Sequence, residues 1–203
     1  MRTAGERAQR LVRARPEAWL VLVAICGASV GCHSSPRPPC ENPPPFYVTL
    51  DAAARLNPND AGRSLPTHVQ LIRLKAINRV PSTDSNDLWQ RTKETLGADL
   101  LESVEIILSP GEKTTQGFQR ETQANYLLAV GLFRNSIGDS WRAVAPLPPV
   151  DPDRCTSQPA PIMQAPGPTD TTLQFHLEEY RIENRTPVDR KSSPTQGRGR
   201  APT

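Results

Sequence analysis

Histidine is scarce in this chain: His33, His68 and His176 are the only three in 203 residues. Each stands without the spaced ligand partner that a zinc centre requires, so no metal site is expected. Glycine-rich phosphate loops, a nucleophile elbow and a cysteine–histidine dyad are missing too, so neither a catalytic residue nor a cofactor is expected. The carboxylate pairs Glu102/Glu105 and Glu178/Glu179 fit solvated strand faces better than an acid–base pair. Long apolar runs are absent as well. The longest, Ala18–Ala28, falls short of the roughly 20 residues that cross a bilayer. A surplus of one charge sign is missing from most of the chain. The formal net charge is +3, from 24 basic and 21 acidic residues. Residues 1–31 hold five arginines and two glutamates, and without them 19 charges of each sign remain. The basic excess therefore belongs to the N-terminus and gives no reason to expect a nucleic-acid partner.

What the N-terminus does have is a leader. Arg2, Arg7, Arg10, Arg13 and Arg15 precede the apolar run, and Ser29-Val30-Gly31-Cys32 follows it. A basic region, a short apolar core and small residues at a cut site describe a secretory signal over residues 1–31. A cysteine directly after Gly31 resembles a bacterial lipobox, in which Cys32 is exposed by cleavage and acylated. Cys26 is the rival position, but Ile25 before it suits cleavage poorly. The alternative for Cys32 is a plain thiol. Several acyl chains at about 0.8 kcal/mol per buried methylene make a stable anchor where one chain does not. His33 at the second mature position is not the aspartate that resembles an inner-membrane retention signal. The expected address is the periplasmic face of the outer membrane.

Residues 32–45 are proline-rich and read as a lipidated tether, extended at about 3.1 Å per residue and reaching about 40 Å at most. The main domain is expected over 46–183, with a proline-rich insertion at 146–170 and a disordered, basic tail at 184–203. Cys40 and Cys155 remain outside the leader and anchor. An oxidising compartment favours a disulfide between them, and two free thiols in loosely held segments are the alternative.

Within the domain the apolar pattern predicts strands at Phe46–Leu50, Thr67–Ile77, Ser103–Leu108, Glu112–Arg120, Tyr126–Phe133, Trp141–Ala145 and Thr172–Glu183. Alternation slips mid-strand in the second, where Val69 and Leu71 are followed by Ile72, Leu74 and Ala76. Such a slip marks a bulge or burial on both faces. The polar fourth strand suits a sheet edge, and the uninterrupted fifth suits a centre covered on both sides. A second slip falls at Glu178-Glu179. Ser82–Gly97 changes to a helical period, with Leu88, Trp89, Thr92 and Leu96 three to four residues apart. These elements predict an all-β sandwich of seven to eight strands with a small helical insertion.

Between the first two strands lies Asp51–Pro66, with two prolines, a glycine and three Asx side chains after Leu56. It is far longer than a hairpin turn needs, and long ordered loops on rigid scaffolds are more often recognition surfaces than spacers. Asn57, Asn59, Asp60 and Arg63 are its expected contact residues. Asn59–Gly62 should form a tight turn, with Gly62 at positive φ and Leu56 and Leu65 pinning the base.

The lipobox, the tether and Leu56-Asn57-Pro58-Asn59-Asp60-Ala61-Gly62-Arg63-Ser64-Leu65-Pro66 come in that order. They are followed by Leu71–Lys75, Leu88-Trp89, Leu96–Leu100, Pro110-Gly111-Glu112, Tyr126, Phe133-Arg134 and Trp141-Arg142. The series resembles the type VI secretion system lipoproteins called TssJ, SciN or VasD, over roughly residues 44–145 and more loosely at 172–183. The resemblance implies a transthyretin-like sandwich that anchors the secretion membrane complex to the outer membrane. Its implied partner is the periplasmic C-terminal domain of the inner-membrane component TssM, met by the 51–66 loop. It implies no enzymatic activity and no small-molecule substrate. A lipid-anchored small-ligand-binding sandwich is the alternative, and an interior pocket open to solvent would favour it.

Overall fold

A computed structural model of the chain describes residues 40–187. The leader over 1–31, Cys32, most of the tether and the tail from residue 188 lie outside these residues. Eight strands form two four-stranded sheets: β1 Phe46–Leu56, β2 Thr67–Leu74, β3 Leu100–Leu108, β4 Lys113–Phe118, β5 Tyr126–Gly131, β6 Arg142–Pro146, β7 Thr171–Glu179 and β8 Arg181–Asn184. The first sheet runs β4-β1-β7-β8 and the second β3-β2-β5-β6. All neighbours are antiparallel except β1 and β7, which start level at Phe46 and Thr171 and run parallel. Two short helices, α1 Ser85–Gln90 and α2 Thr92–Leu96, lie between β2 and β3.

Two apolar layers hold these parts. Between the sheets, Phe46, Val48 and Leu50 of β1 meet Val69 and Leu71 of β2, Leu127 and Ala129 of β5, and Leu173, Phe175 and Leu177 of β7. The period of two in each set is what a strand with one inward face requires. On the far face of the second sheet, Ile72, Leu74, Leu128 and Val130 pack with Val80, Leu88, Leu96 and Trp141. Strands β2 and β5 are thus buried on both faces, as their patterns predict. A bulge between Arg73 and Leu74 also interrupts the pairing of β2 with β3. The Asp84 side chain caps α1 by accepting the Asp87 amide at 2.8 Å. Arg142 fastens the helical segment to β6. Its guanidinium donates to the carbonyls of Val80 and Thr83, pairs with Asp139 at 2.8 Å and lies over the Trp141 ring.

Four expectations change. Strand β1 continues to Leu56, because β7 pairs with its alanine-rich second half and Gly111 N–H donates to the Ala53 carbonyl. The connection previously bounded at Asp51 is therefore Asn57–Pro66. The slip at Glu178-Glu179 is a hairpin turn: Glu179 has φ 49°, and β8 folds back on β7. Residues 40–45 are not free tether. Pro43 and Pro45 are buried, Asn42 bridges to Thr156, and a Cys40–Cys155 disulfide with Cα atoms 5.5 Å apart joins them to the proline-rich insertion. At the other terminus, Asn184–Pro187 stays with the sheet, since Arg185 N–H donates to Gln174 O at 2.8 Å.

The insertion is itself a strap over the outer face of the first sheet. Met163 N–H donates to the Tyr47 hydroxyl at 3.1 Å, and the Gln119 amide donates to Ala160 O at 2.7 Å. Ile162 lies so close above Gly117 that a Cβ there would collide with it. That cover explains why Tyr47, on the outer face of β1, is only 1% exposed.

Candidate functional site

Four connections meet at one end of the sandwich: residues 57–66, 109–112 and 132–141, and the 179–180 turn. The chain enters the first through Leu56, fully buried, and leaves it at Thr67. Gly62 N–H donates to Asn59 O at 2.8 Å, closing a turn in which Gly62 holds φ 76°. The Asn59 side chain accepts the amides of Ala61 and Arg63 at 3.1 and 2.9 Å, so this asparagine shapes the turn from within. Asp60 and Arg63 stand at the surface, with the Asp60 carboxylate 3.9 Å from Arg134.

Asn57 is placed otherwise than the sequence suggests. It is only 5% exposed, and its Oδ1 accepts the Arg134 amide at 2.9 Å. Its own N–H donates to Glu179 O at 2.7 Å. Asn57 is therefore a joint between three connections rather than a displayed side chain. The Tyr180 hydroxyl donates to the Pro58 carbonyl at 2.8 Å and Ser140 Oγ donates to Tyr180 O at 3.3 Å, completing the tie. Arg55 pairs with Glu179 at 2.8 Å. Arg181, bonded to Glu178 at 2.7 Å, holds that carboxyl below its ordinary range chiefly through this hydrogen bond. The loop end is thus an ordered polar surface, with Asp60 and Arg63 as its outermost charges from the 57–66 connection.

Sequence reasoning missed Tyr180, Arg134 and the 132–141 connection as parts of this surface. Ile137, 83% exposed in the run Asn135–Asp139, carried a readable signal: a β-branched apolar residue inside a turn. Of the remaining charged candidates, Glu102 has an ion-pair partner in Arg73 and Glu105 in His68. His176 Nδ1 makes no hydrogen bond to the described residues and lies 3.7 Å from Asp51. Among the described residues no three His, Cys, Asp or Glu side chains cluster as metal ligands. Two surface recesses, of about 450 and 380 Å³, are lined by residues 81–85 with Ser136, Gly138, Asp139 and Trp141, and by Glu41, Leu101 and residues 120–123. Neither is lined by the inward side chains of β1, β5 or β7, so the interior pocket that would favour a small-ligand binder is not among them.

A family model described as type VI secretion lipoprotein, with VasD, EvfM and TssJ as members, matches residues 45–180. This chain belongs to that family. Solved structures agree. The type VI lipoprotein TssJ1 of Pseudomonas aeruginosa is 25% identical, with a TM-score of 0.55 over 72% of this chain and 98% of that one. Serratia marcescens Lip, a membrane-bound component of the type VI secretion system, is 19% identical with a TM-score of 0.57, over 69% of this chain and 96% of that one. A chain in the structure of the type VI protein TssM C-terminal domain from EAEC is 17% identical with a TM-score of 0.54, over 71% and 98%. The last two speak for the fold alone. No curated protein matches the chain. Among the described residues of this type VI lipoprotein, no helix is long and apolar enough to cross a membrane.

Proposed function

We propose that this lipoprotein ties the type VI membrane complex to the outer membrane, through acyl chains on Cys32 and through the 57–66 connection. The observation that carries the reading is an internally hydrogen-bonded polar loop displayed at one end of the domain, on a member of this secretion family. Its turn is pre-shaped by Asn59 and Gly62 and its base is fixed by Asn57, Pro58 and Leu56. Pre-shaping lowers the ordering cost that a partner must overcome. The proposed partner is the periplasmic C-terminal part of a TssM-like inner-membrane protein. A chain of similar fold in a structure of a TssM C-terminal domain supports that choice. Asp60 and Arg63 are the proposed contacts, with Asn59 holding the turn that presents them. We assign no catalytic step and no cofactor beyond the covalent lipid.

The test replaces residues 58–63 by a short Gly-Ser turn, leaving Asn57 in place. Titration calorimetry of the full chain in detergent against the TssM-like periplasmic part should show binding for the natural chain and none for the replacement. Unchanged affinity in the replacement would remove this loop from the interface.

A further inference from the structure

Among the described residues five large apolar side chains are strongly exposed: Ile107, Leu132, Ile137, Ile162 and Met163. Ile162 and Met163 belong to the strap. The other three lie at the loop end. Pairing sets Ile107 opposite His68, and Leu132 N–H donates to His68 O at 2.9 Å, so Ile107 and Leu132 flank one residue of β2. Ile137 is the extreme case, 83% exposed yet held on a fixed turn. Its N–H donates to Ser140 Oγ and its carbonyl accepts the Ser140 amide, both at 3.1 Å. The Ser140 carbonyl in turn accepts Ile182 N–H at 2.9 Å, anchoring the turn to β8. Gly138, at φ 54°, supplies the left-handed residue that the turn requires.

An apolar side chain held rigidly in water contributes nothing to folding and is well suited to enter a pocket. Its backbone is already ordered, and a β-branched side chain has few rotamers to lose. We propose that the 132–141 connection is the apolar half of the docking surface, with Ile137 as its anchor and Leu132 and Ile107 at the same end of the sandwich. This rests on the reading above, and commits to the same TssM-like partner as occupant. The surface is continuous with the 57–66 loop through the Asn57–Arg134 hydrogen bond and the Asp60–Arg134 pair. Charge describes the partner further. Arg55, Arg134 and Arg142 each have a carboxylate partner, whereas Arg63 has none among the described residues. The fitting partner surface is an apolar socket with a carboxylate on its rim.

Calorimetry of full-chain variants in detergent against the TssM-like periplasmic part decides the matter. Ile137→Ser should weaken binding at least about tenfold, the size expected on losing an apolar anchor. Ile137→Leu should stay within about threefold of the natural chain, and Ile162→Ser and Met163→Ser should bind as it does. The thermal transition should not move in Ile137→Ser, because the side chain is already in water. Natural binding, lost on replacing residues 58–63 but unchanged in Ile137→Ser, would overturn this inference and leave the 57–66 loop standing. No binding by the natural chain would overturn both. A natural chain that sediments as a dimer, and as a monomer after Ile137→Ser, would show a second copy as the occupant and overturn the assignment to TssM.

Discussion

Asn57 meets two demands that few other residues meet together. Its φ is 44°, and its side-chain oxygen accepts the Arg134 amide at 2.9 Å. Asparagine tolerates the left-handed region because its short amide can bond locally, whereas alanine there costs about 1–2 kcal/mol. Losing the part-buried Arg134 N–H hydrogen bond adds about 0.5–1.5 kcal/mol. Asn57→Ala should therefore lower stability by about 1.5–3.5 kcal/mol, read from urea midpoints. Asn57→Gly removes the backbone strain but not the lost acceptor, so it should cost about 1 kcal/mol less. Equal losses in the two variants would mean that the backbone is not strained there. The sequence offered no means of telling this asparagine from Asn59, because composition marks a loop without saying which side chains turn inward. That choice was made by Arg134, 77 residues away.

At the scale of elements, the helical segment is held less by its own propensity than by one buried face. Helices α1 and α2 span only six and five residues, too short to persist alone. Leu88 is fully buried against Ile72, Leu128 and Val130. Leu88→Ala should cost about 2–5 kcal/mol in chemical denaturation, as for other leucine truncations in a packed core. Partner affinity should hold for the fraction that remains folded, since Leu88 is not part of the loop end. Elements with strong apolar periodicity were legible from the chain alone: the double-faced β2 and β5, the polar edge strand β4 and the Leu88–Leu96 stripe. The second half of β1 was not. Asp51-Ala52-Ala53-Ala54-Arg55 has poor strand propensity and no alternation, and it is extended because β7 and the 109–112 turn supply its hydrogen bonds. A parallel pairing between the first and seventh strands leaves no local trace in a sequence. Two adjacent glutamates concealed a hairpin because they lack the Asn-Gly signature such turns usually carry.

For the molecule as a whole, the Cys40–Cys155 bridge, 115 residues apart in sequence, encloses everything from β1 to β6. Closing so long a loop restricts the unfolded chain, by about 2–4 kcal/mol in most measured cases. The double variant Cys40→Ser with Cys155→Ser should lose about that much, read from urea midpoints. The natural chain under reductant should match it. A variant as stable as the natural chain would show that the buried Pro43, Pro45 and the strap contacts suffice without the bond.

The same bridge decides how the domain would carry tension. A pull on the chain ahead of Cys40 divides at that residue. One branch follows residues 41–45 into the start of β1, and the other crosses the sulfurs toward the start of β7. The second branch is shortened because Arg154 grips Thr169 O at 2.8 Å and Asp170 at 3.1 Å, just ahead of Thr171. Strands β1 and β7 are parallel neighbours that begin level, so the load enters both from the same end and pulls along their axes, which avoids peeling β1 away from its neighbours. Strand β1 then runs 11 residues, about 35 Å, to Asn57 at the loop end. Under the proposed attachment, membrane and partner would pull on opposite ends of one strand, and the backbone between them is covalent throughout. The sandwich would then work as a grip around a cable, bearing little of the strain itself.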